Sequence, residues 1–244
     1  MKIIGIIPAR YASTRFPGKP LTDIAGQTMI QRVYLQASKS SLLNKVVVAT
    51  DDDRIYDHVT SFGGEVIMTS SDHVSGTDRC AEVINSYEDY STVINIQGDE
   101  PFINPEQIDL VASCFQAPSV QIATLVKKIN SVEELENTNI PKVGLNHQAQ
   151  AIYFSRHAIP FQRNSEREHW IGNHVYYKHI GIYGYRTEVL NKITTLAPSR
   201  LELAEGLEQL RWLENGFTIQ TAETDLETLA IDHESDLLKI PKQD

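Results

Sequence analysis

The feature that most constrains this chain is the regular alternation, over its first hundred residues, of short β-branched runs with amphipathic stretches. The runs KIIGIIPA (2–9), KVVVAT (45–50) and STVINIQGDEP (91–101) have the composition of buried strands. Between the first two, QTMIQRVYLQAS (27–38) repeats its apolar residues at helical spacing. This alternation predicts an α/β fold with a mostly parallel, Rossmann-like sheet flanked by helices.

The middle of the chain is less regular. Strand-like runs at 120–129, 141–146, 150–155 and 179–186 have long excursions between them, notably a polar one at 160–178. We therefore expect a single domain over residues 1–244, with an inserted antiparallel or mixed lobe at roughly 125–185.

Beyond the inserted lobe the pattern is clear again. SRLELAEGLEQLRWLENG (199–216) predicts one helix, with Ser199 as its N-cap, Glu202 as the capping-box partner and Gly216 after its end. FTIQTAE (217–223) predicts a closing strand.

Composition limits the classes of function. The 244 residues carry a formal net charge of -10, which argues against general nucleic-acid binding because that function needs a basic surface. No apolar stretch reaches the roughly 18–20 residues of a membrane span, and the N-terminus lacks a targeting signal, so we expect a cytoplasmic protein. Cys80 and Cys114 have no metal-site or disulfide spacing, and we expect buried thiols.

A basic loop follows the first strand. Arg10, Arg15 and Lys19 lie within PARYASTRFPGKPL (8–21) together with Ser13, and no acidic residue lies among them. Ligands of open parallel sheets collect at the carboxyl ends of strands, and small residues let backbone N–H groups and Arg side chains approach phosphate oxygens. The loop matches neither a P-loop nor a dinucleotide fingerprint. It therefore predicts another kind of anion site, the alternative being a solvated surface loop paired with nearby acids.

Two aspartates stand at predicted strand ends. Asp99 ends the strand INIQGDEP, and Asp232 lies in LAIDHESDL near the C-terminus. Both have ordinary structural alternatives, because Asp commonly stabilises turns and helix N-termini.

The segment PARYASTRFPGKPL resembles the opening signature of the nucleotidyltransferases that activate acidic sugars with CTP, in particular the 3-deoxy-manno-octulosonate (Kdo) cytidylyltransferases. The resemblance covers almost the whole chain in order, through ATDDDRI, MTSSDHVSGTDR, NIQGDEPFI, YFSRHAIPF, KHIGIYGYR and LELAEGLEQLRWLENG. It implies a nucleotidyltransferase fold of the GT-A-like type and transfer of CMP from CTP to Kdo, with release of pyrophosphate, for lipopolysaccharide biosynthesis. It also implies a homodimer that contacts through the inserted lobe.

The resemblance implies roles for particular residues. The opening segment and the segment SSDHVSGTDR (70–79) would bind the nucleotide. Arg15, Lys19 and Asp99 would be the catalytic groups. The nucleotide residues are Pro8, Ala9, Arg10, Ser13, Arg15, Lys19, Ser75, Gly76 and Arg79. The sugar residues are Gln97, Arg156, His179, Tyr185, Glu208 and Gln209. The magnesium ligands are Asp99 and Asp232.

One departure from the family concerns the second metal motif. His233 and Glu234 stand where the family has Thr and Pro, so the pre-set proline dihedral at this turn is lost. We expect a looser turn with Asp232 retained as a ligand.

Two alternatives to this function remain. The substrate could instead be 8-amino-Kdo or a sialic acid, since those enzymes share the opening signature. The chain could also be a non-catalytic nucleotide-binding subunit, for which the altered Asp-His-Glu-Ser-Asp segment is the one supporting feature.

Overall fold

The computed structural model describes residues 1–12, 16–231 and 233–240. Within these ranges the chain forms a nine-stranded mixed sheet, with helices on both faces, and a separate two-stranded ribbon. The strands are β1 (Ile3–Ala9), β2 (Asp23–Ile24), β3 (Gln27–Thr28), β4 (Lys45–Thr50), β5 (Val66–Met68), β6 (Thr92–Asn95), β7 (Ile122–Lys128), β8 (Lys142–Leu145), β9 (Ala151–Ser155), β10 (Tyr177–Arg186) and β11 (Ile219–Glu223).

The helices follow the strands as a parallel sheet requires. They are α1 (Met29–Ala37), α2 (Asp53–Ser61), α3 (Gly76–Ile84), α4 (Pro105–Ser113), α5 (Val132–Glu136), α6 (Trp170–Asn173), α7 (Thr187–Ile193), α8 (Arg200–Glu205) and α9 (Gln209–Glu214). Short 3-10 turns cover Lys19–Leu21, Cys114–Gln116, Arg167–His169 and Glu234–Lys239.

The strand order of the main sheet is β11-β7-β10-β6-β1-β4-β5. The pairs β6–β1, β1–β4, β4–β5 and β7–β11 are parallel, while β10 runs antiparallel to both β6 and β7. The predicted α/β fold with a mostly parallel sheet is therefore confirmed. In the middle of the chain, β8 and β9 form an antiparallel pair that extends the sheet from the first residues of β10.

Two apolar layers cover the faces of the sheet. Helices α3, α7 and α9 pack on one face, around Cys80, Tyr185 and Trp212. Helices α1, α2 and α4 pack on the other, around Ile30 and Ile108. The central strand β1 contributes to both layers, which explains its unbroken apolar sequence.

The prediction of one helix over 199–216 is wrong in its middle. Helix α8 begins after the N-cap Ser199, whose capping box with Glu202 forms as expected, but it ends at Gly206 with φ of +62°. A left-handed residue ends a helix because the next carbonyls and N–H groups fall out of register. Helix α9 starts afresh at Gln209, and Glu208 at its N-cap can then face the sheet.

Candidate active site

A cleft opens where β1 and β6 end at the carboxyl edge of the sheet. Its volume is about 580 Å³. The residues that line it are Pro8, Ala9, Arg10, Ala12, Lys19, Pro20, Val74, Gln97, Gly98 and Asp99. Six of the predicted site residues, from two separate segments, therefore share one cleft.

Close backbone approach joins the two segments. A Cβ atom on Gly98 would stand 2.7 Å from the carbonyl oxygen of Pro8, which a side chain could not tolerate without movement. Because Gly98 has none, the loop after β6 can lie directly against the exit of β1. Gln97 and Asp99, on either side of this glycine, are thereby directed to the cleft.

The basic loop is closed at its base. The N–H of Gly18 donates to the carbonyl of Tyr11 at 3.0 Å, and the guanidinium of Arg54 on α2 covers the Tyr11 ring. Of the predicted nucleotide residues in this loop, Ser13 and Arg15 lie outside the described residues.

An ion pair crosses the cleft between Lys19 and Asp99. Lys19 Nζ donates to Asp99 Oδ2 and to the carbonyl of Ile231, both at 2.8 Å. Both side chains are largely shielded, with 14% and 28% of their surfaces exposed. The predicted catalytic lysine and metal-binding aspartate are therefore in direct contact.

Arg10 faces the loop that precedes α3. Its Nη2 donates to the carbonyls of His73 and Ser75. Burial and the nearby Arg79 lower the pKa of the Arg10 guanidinium. Ser75 itself caps α3 through a reciprocal capping box with Asp78, so it has a structural role at the start of that helix.

Gly76 and Arg79 differ in their relation to the cleft. Gly76 opens α3 against Pro8, with space for no more than a tight Cβ contact at 3.3 Å. Arg79 is fully buried and donates to Asp51 Oδ2 at 3.0 Å and to the hydroxyl of Thr69. The structure thus places Gly76 against Pro8, a residue of the cleft, but directs the Arg79 guanidinium toward the end of β4.

The C-terminal segment returns to the same edge. The N–H of Ile231 donates to the carbonyl of Asp99 at 2.9 Å. Asp232, the second predicted metal ligand, lies outside the described residues. After it, the N–H of His233 donates to Asp236 Oδ2 at 2.8 Å, so a 3-10 turn with an acidic capping residue follows where a proline was expected from the family.

The described part of the cleft contains oxygen atoms of the kind that Mg²⁺ binds. Among the described residues no group of three or more His, Cys, Asp or Glu side chains could hold a metal ion. Mg²⁺ does not need one, because it commonly takes one or two carboxylates and completes its shell with phosphate oxygens and water. The carboxylate of Asp99 and the carbonyl of Ile231 already converge on one cation, the Lys19 ammonium. This oxygen-rich arrangement at the cleft fits the ion.

Glu100 lies on the opposite side from Asp99. It lines a separate cavity of about 190 Å³ with His179, Lys178, Glu227 and other residues, and it accepts a hydrogen bond from the Thr228 hydroxyl at 3.1 Å. Burial and the charge of Asp99 raise the pKa of Glu100 to about 7.

Beside the cleft, one face of the sheet holds buried polar atoms that have no hydrogen-bond partner among the described residues. Four of them surround the β6–β10 pair, namely Asn95 Oδ1, the hydroxyls of Tyr183 and Tyr185, and Trp212 Nε1. The hydroxyls nearest the two phenols are those of Thr77 and Thr124, which donate to Glu208 at 2.9 Å and to the carbonyl of Ile182 at 2.8 Å, so neither has a proton left to donate to a tyrosine. Unpartnered buried polar atoms are rare, so a cluster of four indicates a ligand or ordered water.

The two tyrosines of this cluster lie at different depths. Tyr183 is opposite Asn95, the last residue of β6, whereas the predicted sugar residue Tyr185 is opposite Val93. Two residues along a strand separate them by about 7 Å. Tyr183 also contacts the predicted sugar residue His179, with ring centroids 5.1 Å apart. Tyr183 is therefore the one nearer the cleft.

His179 stands between the small cavity and the aromatic cluster. Its Nε2 is 3.0 Å from the Thr124 hydroxyl, and its ring packs edge-on against Phe154. Burial lowers the pKa of His179 to about 4. The imidazole is accordingly neutral at physiological pH and can exchange hydrogen bonds with a neutral partner.

Glu208 and Gln209 belong to the same face. Glu208 accepts from Thr77, and burial raises the pKa of its carboxyl. Arg211, three residues farther along the chain, pairs with Glu202, at 2.8 Å from its Nε. Gln209 is buried beside it.

Arg156 is committed to the protein backbone. Its guanidinium donates to the carbonyls of Glu205, Gly206 and Thr138, at 2.6 to 3.3 Å. The structure thus gives Arg156 a role at the end of α8, and among the described residues its hydrogen bonds go to residues outside the first cleft.

Sequence reasoning missed Asn95, Thr77 and Tyr183. The run IGIYGY contains two tyrosines on the same face of a strand, and periodicity alone could not tell which lies at the ligand edge. That distinction depends on the register between β10 and β6.

Comparison with known proteins gives a consistent result. A family model described as cytidylyltransferase matches residues 4–223. The 3-deoxy-manno-octulosonate cytidylyltransferase of Bacteroides thetaiotaomicron is 58% identical over 97% of this chain and 96% of its own. That of Phocaeicola vulgatus is 56% identical over 98% and 96%. A solved CMP:2-keto-3-deoxy-manno-octonic acid synthetase complexed with CTP superposes with a TM-score of 0.90 at 43% identity, covering 98% of this chain and 96% of its own.

Proposed function

Since this chain belongs to the 3-deoxy-manno-octulosonate cytidylyltransferases, we propose that it transfers CMP from CTP to the anomeric hydroxyl of Kdo for lipopolysaccharide biosynthesis. The observation that carries this proposal is the cleft in which Lys19 and Asp99 meet, directly beside a buried group of unpartnered polar atoms. The first feature suits a triphosphate with a cation, and the second suits a polyhydroxylated sugar.

In the proposed reaction, the anomeric oxygen forms a bond to the α-phosphorus of CTP as the bond to the β-phosphate oxygen breaks. Pyrophosphate leaves, and the hydroxyl proton passes to solvent. Lys19 would exchange Asp99 for phosphate oxygens and, with Arg10 and Arg15, offset the charge of the leaving group. Asp99 and Asp232 would hold Mg²⁺, which when bound supplies further positive charge at the phosphates.

The sugar would occupy the face of the β6–β10 pair. Gln97, His179 and Tyr183 lie at the ligand edge, Tyr185 lies two residues farther along β10, and Glu208, next to Gln209 in the chain, contacts Thr77 of α3. Neutral donors and acceptors suit the hydroxyls of the sugar. Asn95 and Trp212 supply further unpartnered atoms.

The test is pyrophosphate release with the purified chain. Four nucleoside triphosphates are crossed with Kdo, 8-amino-Kdo and a sialic acid, with and without Mg²⁺. We expect turnover with CTP and Kdo only when Mg²⁺ is added. Turnover with 8-amino-Kdo but not with Kdo would show that the amino sugar is the substrate. Tight CTP binding without turnover under every condition would support the non-catalytic alternative.

We also propose that the protein is a homodimer. The lobe around β8 and β9 bears an apolar groove of about 780 Å³ lined by Val143, Ile152, Ile159, Val175 and neighbouring residues. Ile152 and Val175 are 62% and 52% exposed, an unusual position for such side chains on a monomer surface. Its occupant would be the same groove of a second copy, since closed two-fold pairs are the commonest assembly.

Sedimentation at several concentrations tests the dimer. Ile152→Glu would yield a monomer, while Leu203→Glu, at a 72% exposed apolar residue on α8, would leave the mass unchanged. A wild-type monomer at micromolar concentration would contradict the proposal.

Cytoplasmic location remains a proposal that follows from the donor, because CTP is a cytosolic nucleotide. Among the described residues, no helix is long and apolar enough to cross a membrane.

A further inference from the structure

Residues 224–231 form an extended strap between β11 and the cleft. The strap contains no helix or strand, yet it has hydrogen bonds to the catalytic edge along its length. The N–H of Thr224 donates to the carbonyl of Val126 at 2.9 Å, the Thr228 hydroxyl donates to Glu100 at 3.1 Å, and the N–H of Ile231 donates to the carbonyl of Asp99 at 2.9 Å. The strap thus ends in contact with the predicted metal-binding aspartate.

A buried lysine from β10 is attached to the middle of the strap. The side chain of Lys178 is only 5% exposed, and its ammonium contacts two carboxylates, Glu134 of α5 and Glu227 of the strap. Lys127 of β7 binds the other oxygen of Glu227 at 3.0 Å. Two cations from adjacent strands therefore converge on one strap residue.

The burial of Lys178 makes this contact different from a surface ion pair. An ammonium removed from water requires charged partners, whereas exposed pairs contribute little. If the strap moved away, Lys178 would keep Glu134 alone, in a site with little access to water. Moving the strap away would therefore cost free energy mainly because the buried Lys178 ammonium would lose a charged partner. The Glu227 carboxylate, which is 54% exposed, would lose less, since water can solvate it.

We propose that Lys178 is a positioning residue, which, through Glu227, holds the strap on the catalytic edge and so keeps its end against Asp99. This inference rests on the proposed function for what Asp99 does, but its structural content does not. Lys178 also lines the 190 Å³ cavity together with Glu100, Glu227 and Thr228. The contact between Lys178 and the strap therefore lies in the same cavity as Glu100, the residue after Asp99.

The experiment compares the wild type with Lys178→Met by hydrogen exchange resolved to peptides. Peptide 225–231 contains the Ile231 amide, which donates to Asp99, and we expect this amide to exchange at least about tenfold faster in the variant, while those of β1 are unchanged. Lys178→Arg should restore protection, because it keeps the charge. Lys128→Met is the matched control, since Lys128 pairs with Glu223 of β11 at the same edge, in an exposed ion pair outside the strap.

A second readout measures the metal site without turnover. The free Mn²⁺ signal in electron paramagnetic resonance gives the half-saturating Mn²⁺ concentration in the presence of CTP. It should rise about tenfold in Lys178→Met and recover in Lys178→Arg.

Three outcomes would overturn the proposal: unchanged exchange of 225–231, an equal effect of Lys128→Met, or faster exchange with unchanged Mn²⁺ affinity. If Lys178→Met does not fold, the variant Glu134→Gln/Lys178→Met/Glu227→Gln removes the buried ammonium together with the two carboxylates that pair with it, and should show the same loss of protection. Absence of CMP-Kdo synthesis by the wild type would refute the proposed function, whereas the exchange result would still decide whether Lys178 fastens the strap.

Discussion

The candidate site has a nucleotide half, the cleft at the ends of β1 and β6, and a sugar half, the face of the β6–β10 pair. The polar groups of the two halves differ in charge and in whether they already have partners. In the nucleotide half the charged groups already have partners within the protein, as Lys19 has Asp99 and Arg10 has two carbonyls. In the sugar half most of the polar groups are uncharged amides, hydroxyls and an indole, and four of these buried groups have no partner among the described residues. The difference follows from the cost of burial, because an unpaired charge is far more expensive to bury than an unpaired hydroxyl.

This contrast suggests two modes of binding. A triphosphate with its cation can exchange partners with groups that were paired before it arrived, so the nucleotide half remains stable when empty. The sugar half gains its hydrogen bonds only when a ligand or water supplies them. Substitutions in the first half should therefore change catalysis strongly, and conservative substitutions in the second should change sugar affinity with little loss of stability.

The largest effect is expected from Asp99→Asn. Removing the carboxylate that contacts Lys19 and faces the cleft should lower the rate of pyrophosphate release by about 10³-fold, the usual scale when transition-state charge stabilisation is lost. Added Mg²⁺ should not restore it. Steady-state assays with CTP and Kdo measure the change, and Asp89→Asn, at an acid 78% exposed beside Lys2, is the control. A rate within a few-fold of wild type would remove Asp99 from the catalytic groups.

The neutral character of the sugar half can be tested through His179. Its pKa is about 4 in the folded protein against 6.5 ordinarily, so between these values only the unfolded chain is protonated. Stability is therefore present above pH 6.5 and is lost as the pH falls toward 4. The wild type should lose about 2–3 kcal/mol between pH 7.5 and 4.5 that His179→Gln does not lose.

Denaturant unfolding at the two pH values gives this difference directly. The exposed His147→Gln variant is the control for removal of an imidazole, and should follow the wild type. Parallel pH curves for the wild type and His179→Gln would show that burial of His179 does not oppose its protonation.

The same contrast explains how much could be predicted from the sequence. The parallel sheet, the end of β1 and the position of Asp99 could be predicted because strand patterns and loop charges are local. The break at 206–208 could not, because the helical pattern continues on both sides of it and the break begins with the left-handed φ of Gly206. Likewise, the roles of Arg79 and Arg156 depend on partners far along the chain, Asp51 and the carbonyl of Glu205.

Tyr183→Phe is expected to have a smaller effect, confined to the sugar. The lost hydroxyl lies at the ligand edge and has no protein partner among the described residues, so its removal should raise the KM for Kdo about 10- to 30-fold. The KM for CTP and the midpoint of thermal unfolding should remain unchanged. A lower unfolding midpoint with an unchanged KM for Kdo would mean that the hydroxyl serves the fold through bound water.

Tyr185→Phe should have the smallest effect. It removes the same group as Tyr183→Phe, but from a position farther from the ligand edge. Its hydroxyl is as unpartnered as that of Tyr183, and burial together with Glu208 raises the pKa of both phenols. It differs in being opposite Val93 and not Asn95, about 7 Å deeper in the sheet. If the sugar does not extend as far as the Tyr185 hydroxyl, the KM for Kdo should rise less than about threefold, since a hydroxyl that does not contact the ligand contributes little. An effect equal to that of Tyr183→Phe would mean that the sugar penetrates between β10 and α9, where Trp212 packs edge-on against both rings.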